Sequence, residues 1–336
     1  MPKAEQLERA IDDIRRKWVP DSRLGVFDVS VGSGVGAQLS GATSSRSAQE
    51  ALRKLAKEAG LTEDVRLLPD NAVGQDRVAI VTAALAPLLG HTALDSARVN
   101  EALHGEALEI LDREGDWLRV RAPDAYVAWV HAGYVRTGPD DWGKDWAERA
   151  TARAVGTELQ TDGGRRRLPL GARLALRRDG TVELADGVVG SIVAGQVRRE
   201  AELRAEARHL ALPELAQRSY GGAPYLWGGR TEWGIDCSGL TQAVYAARGI
   251  QLLRDSDQQF GQGREVALSA DGAGYEAGDL LFFTERGRVS HVALWAGAGR
   301  IVHSALARGG VGIDDLFGAD PRMTRLRANL VGVRRP

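Results

Sequence analysis

Cys237 is the single cysteine in a chain of 336 residues. A chain with one cysteine cannot form an intramolecular disulfide, and it cannot offer zinc two or more thiolates. Its fold must therefore depend on hydrophobic cores. Hydrophobic residues make up 43% of the chain and charged residues 26%. This composition is typical of a globular protein with about two domains, or three to four if some are small barrels.

Charge and hydropathy argue against two classes of partner. The chain has 44 basic and 45 acidic residues and a net charge of −1, whereas a nucleic-acid-binding surface needs a basic excess. The longest apolar run, residues 78–90, is shorter than the roughly 20 residues of a membrane-spanning helix. The polar segment at residues 1–8 lacks the apolar core of a secretory signal. We therefore expect no nucleic-acid partner, no membrane span and a cytoplasmic location, or export if a leader had been removed.

Residues 1–76 have the pattern of a small α/β module. Apolar residues at helical spacing indicate a first helix, with Trp18 expected in its core: Leu7, Ile11, Ile14 and Trp18. The remaining elements follow in order: a strand at residues 27–31, a turn at Gly32-Ser33-Gly34, a second strand, and a helix capped by Ser44 or Ser45 and closed by Gly60.

Two stretches of short strands and regular turns follow, at residues 77–138 and 146–197. This pattern is typical of small barrels, and it predicts two SH3-like β-barrels. The segment Gly138-Pro139-Asp140-Asp141-Trp142-Gly143 is interpreted as the linker between them. Its glycine spacing imitates a phosphate-binding loop, but Asp145 stands where such a loop requires Ser or Thr.

Cys237 follows Asp236 and precedes an apolar helical face that stops at Gly249. Asp236 is well placed as the N-cap, so Cys237 lies in the first turn of the predicted helix. Free N–H groups and the helix dipole favour a thiolate there, and cysteines at such positions can have lowered pKa values. A free cysteine is also commonly a small buried hydrophobe. The local sequence leaves both interpretations open.

A thiolate nucleophile needs a base, and the base needs an orienting group. Two of the six histidines, His291 and His303, lie on two predicted strands joined by the turn Gly297-Ala298-Gly299. A three-residue loop puts both histidines on one face, directly opposite or one diagonal apart, within about 4.5–8 Å. A loop of two or four residues would put them on opposite faces.

Six short motifs occur in order along the last third of the chain. They are Pro224-Tyr225-Leu226-Trp227-Gly228-Gly229, Asp236-Cys237-Ser238-Gly239-Leu240, Arg254-Asp255-Ser256-Asp257-Gln258, Gly278-Asp279-Leu280-Leu281-Phe282-Phe283, Ser290-His291-Val292 and His303-Ser304. Together they resemble the signatures of the NlpC-type cell-wall cysteine peptidases over about 130 residues. The two preceding barrels are similar to those of the γ-D-glutamyl-L-diamino acid endopeptidase subgroup.

The resemblance implies an α+β fold class, with a papain-like catalytic domain at residues 198–336 behind the two barrels and the N-terminal module. It also implies a Cys-His-His triad. Cys237 would be the nucleophile, His291 the base and later the acid, and His303 the residue that orients His291. Tyr225 would help the backbone N–H of Cys237 to stabilise the oxyanion; the alternative is a core tyrosine. No metal and no cofactor are expected.

In that subgroup, acids, hydroxyls and an aromatic hold the free N-terminal L-Ala of the substrate. The resemblance places the matching roles on Tyr126, Asp236, Ser238, Asp255 and Ser256, with Glu106 as a weaker candidate. Carboxylates suit the task because an ammonium group needs an anionic partner. Each has a structural alternative: Asp236 as a helix cap, Asp255 as a turn residue, Tyr126 as a strand aromatic and Glu106 as a solvated turn acid. Leu252-Leu253 stands where the family often has proline.

The sequence thus predicts an endopeptidase that hydrolyses the bond between γ-D-Glu and a diamino acid, diaminopimelate or Lys. Its expected partners are peptidoglycan-derived peptides that begin with free L-Ala, in cell-wall recycling. One alternative is an exported hydrolase of intact peptidoglycan. Another is a wall-binding module with little activity. Acyl transfer also stays open, because hydrolysis and transfer share one thioester intermediate.

Overall fold

A computed structural model describes residues 2–32 and 37–336. The turn expected at Gly32-Ser33-Gly34 lies outside the described residues except for Gly32. The chain divides into two compact units: one contains Met1–Ile80, Leu89–Ala97 and Ala107–Asp145, and the other contains Val81–Leu88, Arg98–Glu106 and Trp146–Pro336. The finer division into domains at 1–76, 77–138, 146–197 and 198–336 stays a prediction.

The first unit begins with the expected α/β elements: α1 (Pro2–Trp18), β1 (Phe27–Val31), β2 (Gln38–Thr43), α2 (Arg46–Ala59) and β3 (Thr62–Leu67). The strand order is β1-β2-β3. β1 pairs antiparallel with β2, and β2 pairs parallel with β3 through the α2 crossover. The parallel partner β3 was not anticipated. Its inward residue Val65 packs with Leu39 and Leu52 in the module's core.

The ends of α2 follow the predicted chemistry. The Ser45 hydroxyl accepts a hydrogen bond from the N–H of Ala48 at 3.2 Å. Gly60 adopts a left-handed φ of 68° and ends the helix, a conformation that glycine reaches without steric cost. The expectation for Trp18 was wrong. Its side chain is 41% exposed, and Val19 is buried instead, because Trp18 is the last residue of α1.

A run of short strands follows: β4 (Val78–Val81), β5 (Leu85–Leu89), β6 (Arg98–Leu103), β7 (Ala107–Glu114), β8 (Trp117–Arg121), β9 (Val127–His131) and β10 (Val135–Gly138). Within the first unit the strand order is β10-β4-β7-β8-β9. β5 and β6 belong to the second unit apart from Leu89. Short antiparallel strands at these positions match the expected barrel pattern.

The segment interpreted as a linker is mostly helical, which the sequence did not predict; its place between two domains stays a prediction. Helix α3 runs Asp140–Arg149, directly after β10. Asp140 and Asp141 put two carboxylates in its first turn, where the helix dipole stabilises negative charge. Gly143 lies inside the helix, at a position where a Cβ would come within 2.9 Å of the Val78 side chain.

The second unit contains a further barrel-like sheet: β11 (Ala152–Thr161), β12 (Gly164–Leu168), β13 (Arg173–Leu176), β14 (Val182–Glu183) and β15 (Val189–Arg199). The strand order is β12-β11-β13-β14-β15, and β11 also pairs with β15. The sheet therefore closes on itself around Leu159, Leu174 and Val182. Its assignment as a second SH3-like domain stays a prediction.

The rest of the second unit contains the elements α4 (Glu200–His209), α5 (Leu212–Tyr220), β16 (Arg230–Thr231), β17 (Gly234–Ile235), α6 (Cys237–Ala247), α7 (Ser256–Phe260), β18 (Arg264–Val266), β19 (Leu280–Glu285), β20 (Arg288–Gly297), β21 (Arg300–Ala305), β22 (Gly310–Asp315), α8 (Pro321–Ala328) and β23 (Leu330–Arg335). Strands form a sheet of order β18-β23-β19-β20-β21-β22, with antiparallel neighbours.

Alternate residues of β20 enter two different cores. Val292 and Leu294 pack in a cluster with Leu240 of α6. Ala293 and Trp295 pack in a second cluster with Met323 of α8. This period of two is the signature of a strand buried on both faces. It fixes the strand that carries His291 between two hydrophobic layers. Among the helices that the structure describes, none is long and apolar enough to cross a bilayer.

Candidate active site

Cys237 opens helix α6, as the sequence predicted. Asp236 is the N-cap, and its Oδ1 accepts a hydrogen bond from the N–H of Gly239 at 2.7 Å. The cysteine is 7% exposed and belongs to the core cluster beneath the helix. Its sulphur therefore lies at the point where a buried hydrophobic layer meets the free N–H groups of a helix start.

A buried ion pair holds the segment around Cys237. Arg254 is 1% exposed, and its Nη1 and Nη2 donate to Oδ1 and Oδ2 of Asp236 at 3.0 and 2.7 Å. The same guanidinium donates to the Ser238 hydroxyl at 3.0 Å and to Oδ1 of Asn100 at 2.9 Å. A bidentate arginine–carboxylate pair is both strong and directional. Arg254 thus fixes both residues that flank the cysteine.

This network bears on the ammonium-binding roles expected of Asp236 and Ser238. The Asp236 carboxylate also accepts from the N–H of Gly228 at 2.8 Å, in addition to Gly239 and Arg254. Both carboxylate oxygens of Asp236 therefore already accept hydrogen bonds. This agrees with the alternative role of Asp236 as a helix cap, to which the ion pair with Arg254 is added. The Ser238 hydroxyl lies between Asp236 and Arg254. Their contact with substrate stays a prediction.

Asp255 and Ser256 lie at the start of the short helix α7. Asp255 is its N-cap and forms a capping box with Gln258, whose side chain accepts from the Asp255 N–H at 3.1 Å. Ser256 is 8% exposed. The capping geometry gives Asp255 a structural role alongside the substrate-binding role that the motif predicts.

The two histidines lie on one face of their hairpin, as expected, but the loop between the strands is shorter than expected. Only Ala298 and Gly299 lie between β20 and β21, whereas the sequence predicted a three-residue loop. A register shift between Trp295 and Gly297 inserts the extra residue, so that Leu294 pairs with Val302. Such a bulge accompanies left-handed residues, and Gly297, Ala298 and Gly299 all have positive φ. The two histidines consequently meet on one face, one diagonal apart.

The two histidine rings are in direct contact. Nε2 of His291 lies 2.8 Å from Nδ1 of His303. On the far side of the second ring, Nε2 of His303 lies 2.9 Å from Oδ2 of Asp314, a residue of β22. The other oxygen of Asp314 is ion-paired with Arg308. A continuous hydrogen-bonded chain therefore runs from His291 to a charged pair at the edge of the sheet.

Cys237 and Val292, the residue after His291, belong to one buried hydrophobic cluster. The backbone N–H groups of Val292 and Ser238 each act to lower the pKa of the Cys237 thiol. Burial outweighs them and, with the nearby charge of Asp236, raises the pKa of Cys237 to about 12. Of the two interpretations that the local sequence left open, the raised pKa agrees with the buried cysteine rather than with a thiolate favoured by the helix start. Removal of water opposes the charged form more strongly than the helix start favours it.

The imidazole of His291 shifts in the complementary direction. Burial, with a smaller contribution from His303, lowers the pKa of His291 to about 3. At neutral pH the pair therefore rests as thiol and imidazole, both uncharged.

Tyr225 lies in the loop before β16 and is half-buried. Its N–H donates to the carbonyl of Gly309 at 3.0 Å, and its backbone forms a parallel bridge with Ile235. Burial, and then proximity to Cys237, raises the pKa of the Tyr225 phenol. The phenol therefore stays protonated near the sulphur, which suits a hydrogen-bond donor.

The two remaining substrate-binding candidates lie in different units. Glu106 accepts from Nη1 and Nη2 of Arg230 at 3.1 and 3.3 Å, so it is ion-paired rather than a solvated turn acid. The backbone N–H of Arg230 also donates to the buried Glu101 at 2.9 Å. Tyr126 belongs to the first unit, where it is 5% exposed just before β9. The substrate contacts of Glu106 and Tyr126 stay predictions.

Sequence reasoning missed Arg254 as the residue that holds Asp236, and it missed Asp314 and Arg308. Arg254 is the first residue of one of the six motifs, but its partner Asn100 is 154 residues away. Asp314 could have been found by extending the hairpin by one strand, because His303 pairs with Gly312 and Asp314 is two residues on. Within residues 2–32 and 37–336, no group of three or more His, Cys, Asp or Glu side chains is arranged to hold a metal ion.

Comparison with known families matches two segments. A family described as NlpC/P60 matches residues 222–328. A family described as the bacterial dipeptidyl-peptidase Sh3 domain matches residues 91–133. The second match falls in the first stretch of short strands, and the closed sheet of β11–β15 lies outside both.

Similar proteins carry peptidase names. The chain is 39% identical over 95 residues to a gamma-D-glutamyl-L-lysine dipeptidyl-peptidase of Bacillus cereus, which covers 27% of each chain. It is 26% identical over 258 residues to dipeptidyl-peptidase 6 of Lysinibacillus sphaericus, covering 71% of this chain and 91% of that one. The first match thus spans about a quarter of that relative's length.

A solved structure supports the fold. A crystal structure of an NlpC/P60 family protein from Bacillus cereus superposes with a TM-score of 0.59 at 22% identity, covering 77% of this chain and 99% of that one. At this identity the likeness concerns the fold. The chain therefore carries an NlpC/P60 domain of papain-like fold at residues 222–328 and a bacterial SH3-like domain at residues 91–133.

Proposed function

We propose that this protein is a cysteine endopeptidase that cleaves the γ-D-glutamyl–diamino acid bond of cell-wall peptides with a free N-terminal L-Ala. The carrying observation is the 2.8 Å contact between the rings of His291 and His303; the residue after His291, Val292, packs in one buried cluster with Cys237. A thiol, a base and a group that orients the base are the parts that nucleophilic acyl transfer needs.

The reaction begins from the neutral pair. As the Cys237 sulphur attacks the γ-carbonyl of D-Glu, its proton passes to His291, and the charge moves to the carbonyl oxygen. Collapse of the tetrahedral adduct breaks the C–N bond, and His291 returns the proton to the leaving amine of the diamino acid. Water, deprotonated by His291, then attacks the thioester, releases the γ-carboxylate and restores the thiol.

The oxyanion has two candidate donors. The backbone N–H of Cys237 is free of intrahelical partners because it lies in the first turn of α6. The Tyr225 phenol remains protonated because burial raises its pKa. A donor aimed at developing charge contributes about 2.7–4 kcal/mol to transition-state stabilisation.

Specificity for a free amino terminus is supported by the relatives' names and by acidic residues in the second unit. Asp236 and Glu106 are held by Arg254 and Arg230. Asp255, at the start of α7, is a third acidic candidate for contact with the ammonium group of L-Ala. A requirement for a free terminus is what we expect of an enzyme that recycles released peptides, because intact wall stems are acylated at L-Ala.

A digest tests the proposal. Synthetic L-Ala-γ-D-Glu-diaminopimelate and L-Ala-γ-D-Glu-L-Lys, each with a free or an N-acetylated terminus, are incubated with the protein in reducing buffer, and products are identified by mass spectrometry. We expect L-Ala-D-Glu to be released from the free peptides only, and not by Cys237→Ala.

Two other results would overturn parts of the proposal. Equal cleavage of free and acetylated peptides would remove the specificity for the free amine and favour a hydrolase of intact peptidoglycan. No cleavage of any peptide, with binding retained in calorimetry, would favour a wall-binding module.

A further inference from the structure

Asp314 closes the far end of the histidine chain, although nothing in the local sequence marks it as functional. It lies on β22, where His303 of β21 pairs with Gly312. Residues two apart on a strand share a face, so Asp314 is the diagonal neighbour of His303. Its Oδ2 lies 2.9 Å from the His303 Nε2. The His303 side chain is 2% exposed, so solvent competes little for this bond.

With both imidazoles uncharged, two proton arrangements can satisfy the contact between the histidines. In the first, His303 carries its proton on Nε2, and its bare Nδ1 accepts from Nε2–H of His291. The Nδ1 of His291 is then bare and can accept the proton of the thiol. In the second, His303 carries its proton on Nδ1 and donates to Nε2 of His291. His291 then carries its proton on Nδ1 and has no basic nitrogen left for Cys237.

The carboxylate at the end of the chain distinguishes these arrangements. In the first, Nε2–H of His303 donates to Asp314. In the second, a bare Nε2 faces a bare carboxylate oxygen at 2.9 Å, which is an unfavourable contact between two acceptors. An ionised carboxylate has no proton to give, so the first arrangement is the stable one.

Asp314 stays ionised because of its surroundings. The hydrogen bond to His303 and the positive charges of Arg308 and Arg322 hold the pKa of Asp314 below its usual range. Arg308 is ion-paired with its other oxygen. His291 and His303 are the titratable members of this hydrogen-bonded chain. Arg308 and Arg322 are the charged groups at its Asp314 end, and Cys237 is the titratable group on the other side.

We propose that Asp314 is a positioning residue that fixes the proton arrangement of His303 and thereby of His291, so that the Nδ1 of His291 is left to act as the base for Cys237. This inference rests on the proposed cysteine-peptidase site. In a serine peptidase, loss of the carboxylate that holds the catalytic histidine in its productive tautomer lowers kcat about 10⁴-fold. Asp314 acts through one further histidine, so we expect a loss of about 10- to 100-fold.

The first test reads the tautomers without substrate. Long-range ¹H–¹⁵N spectra of the imidazoles, assigned with His→Gln variants, should show His291 and His303 as Nε2–H tautomers. In Asp314→Asn, where the amide can either accept or donate, we expect the Nδ1–H form of His303 to become populated. Asp315→Asn is the matched control, since Asp315 is the next carboxylate on β22 and its Oδ1 accepts from the N–H of Phe317. An Nδ1–H His303 in the unaltered protein would overturn the proposal.

The second test uses the single cysteine as a probe. Because Cys237 is the only thiol in the chain, its alkylation by iodoacetamide reports on base assistance at one site. Asp314→Asn and Asp314→Ala should slow alkylation at pH 7 by about 10-fold, and Asp315→Asn should leave it unchanged. A lower Tm with unchanged tautomers and alkylation would show a merely structural role and overturn the proposal.

Kinetics complete the test and separate the two proposals. On a peptide that the protein cleaves, Asp314→Asn should lower kcat with KM changed by no more than about threefold, because the residue positions a base and does not touch substrate. A rise in KM of more than about threefold, with kcat unchanged, would contradict this. If no peptide is cleaved, the proposed function fails, while the spectra and the alkylation rates still decide the role of Asp314.

Discussion

Two arginine–aspartate pairs support the two halves of the candidate site, and they differ in burial. Arg254 and Asp236, beside Cys237, have side chains 1% and 9% exposed. Arg308 and Asp314, behind His303, are 34% and 14% exposed. Breaking a buried pair leaves an uncompensated charge and costs about 3–5 kcal/mol, whereas a solvent-exposed pair contributes about 0–1 kcal/mol.

The difference suggests different tasks for the two pairs. The Arg254 pair stabilises the fold around the helix start, because it also joins Ser238 and Asn100. We expect the Arg308 pair to contribute less to stability, because Arg308 is 34% exposed. It keeps an ionised carboxylate against the buried imidazole of His303. The proposed nucleophile, Cys237, thus lies beside an ion pair of the core. The proposed base, His291, is linked through His303 to a carboxylate whose charge, in our proposal, determines where the protons lie.

The largest expected effect is on activity. Cys237→Ala removes the thiol but leaves the Arg254–Asp236 pair in place, so peptide cleavage should fall by at least about 10³-fold. The free energy of unfolding should change by only about 1 kcal/mol. Mass spectrometry of digests and urea unfolding measure the two quantities. Activity retained in this variant would eliminate the thiol mechanism, and global unfolding would show that the helix start depends on the sulphur.

Arg254→Met should have the largest effect on stability. It leaves Asp236 buried with its charge unpaired, and we expect the free energy of unfolding to fall by about 3–5 kcal/mol. Replacing both partners, as Arg254→Met with Asp236→Leu, should recover part of the loss, because no unpaired charge remains. Arg218→Met, in an exposed pair with Glu206, serves as the control for loss of an arginine. A loss below 1 kcal/mol on its own would end the contrast between the two pairs.

Acid should destabilise the histidine side. Burial lowers the pKa of folded His291 to about 3 from a usual value of 6.5. As the pH falls, the unfolded chain therefore protonates this imidazole at a higher pH than the folded chain does. The stability that a neutral His291 contributes is complete above pH 6.5 and is lost as the pH falls towards 3. Between pH 6.5 and 4.5 the loss is on the order of 3 kcal/mol, at about 1.4 kcal/mol per pH unit.

Urea unfolding from pH 7.5 to 4.5 measures this loss. The unaltered protein should lose more stability over this range than His291→Asn does. His104 is also buried with a lowered pKa, so the comparison must be made between these two proteins and not against a histidine-free reference. His91→Gln, at an exposed position, should behave like the unaltered protein. Identical pH profiles for all three would contradict burial of a neutral His291.

The smallest effect is expected of Arg308→Met, the counterpart of Arg254→Met. Its pair with Asp314 is partly exposed, so the free energy of unfolding should fall by less than about 1 kcal/mol. The hydrogen bond between Asp314 and His303 remains, so cleavage should fall by less than about 10-fold. Unfolding and steady-state kinetics of the two Arg→Met variants give the comparison directly. A loss of 3 kcal/mol or more here would mean that both pairs are structural.

Local patterns predicted the elements that carry the site. The start of α6, its cap at Asp236 and the hairpin of His291 and His303 all follow from short-range rules of capping and alternation. The same rules failed where several signals compete. Pro139 and glycines suggested a linker where α3 forms, because two aspartates in the first turn favour a helix.

The sequence could not show which residues far apart along the chain lie close together in the fold. The partners Asn100 and Arg254 are 154 residues apart, and the bulge at Trp295–Gly297 that brings the histidines to one face depends on backbone conformation. Asp314 belongs to none of the six motifs, because it comes next to His303 only when β22 pairs with β21.

The sequence by itself determined which thiol can react, because the chain has only one, and it determined that this thiol begins a helix. Tertiary structure decided the rest: that Arg254 holds Asp236, that Asp314 ends the histidine chain, and that burial raises the pKa of Cys237. The reason is physical. A cap or a helix dipole acts over one turn and can be inferred from neighbouring residues, whereas a pKa depends on how completely distant elements exclude water from the group.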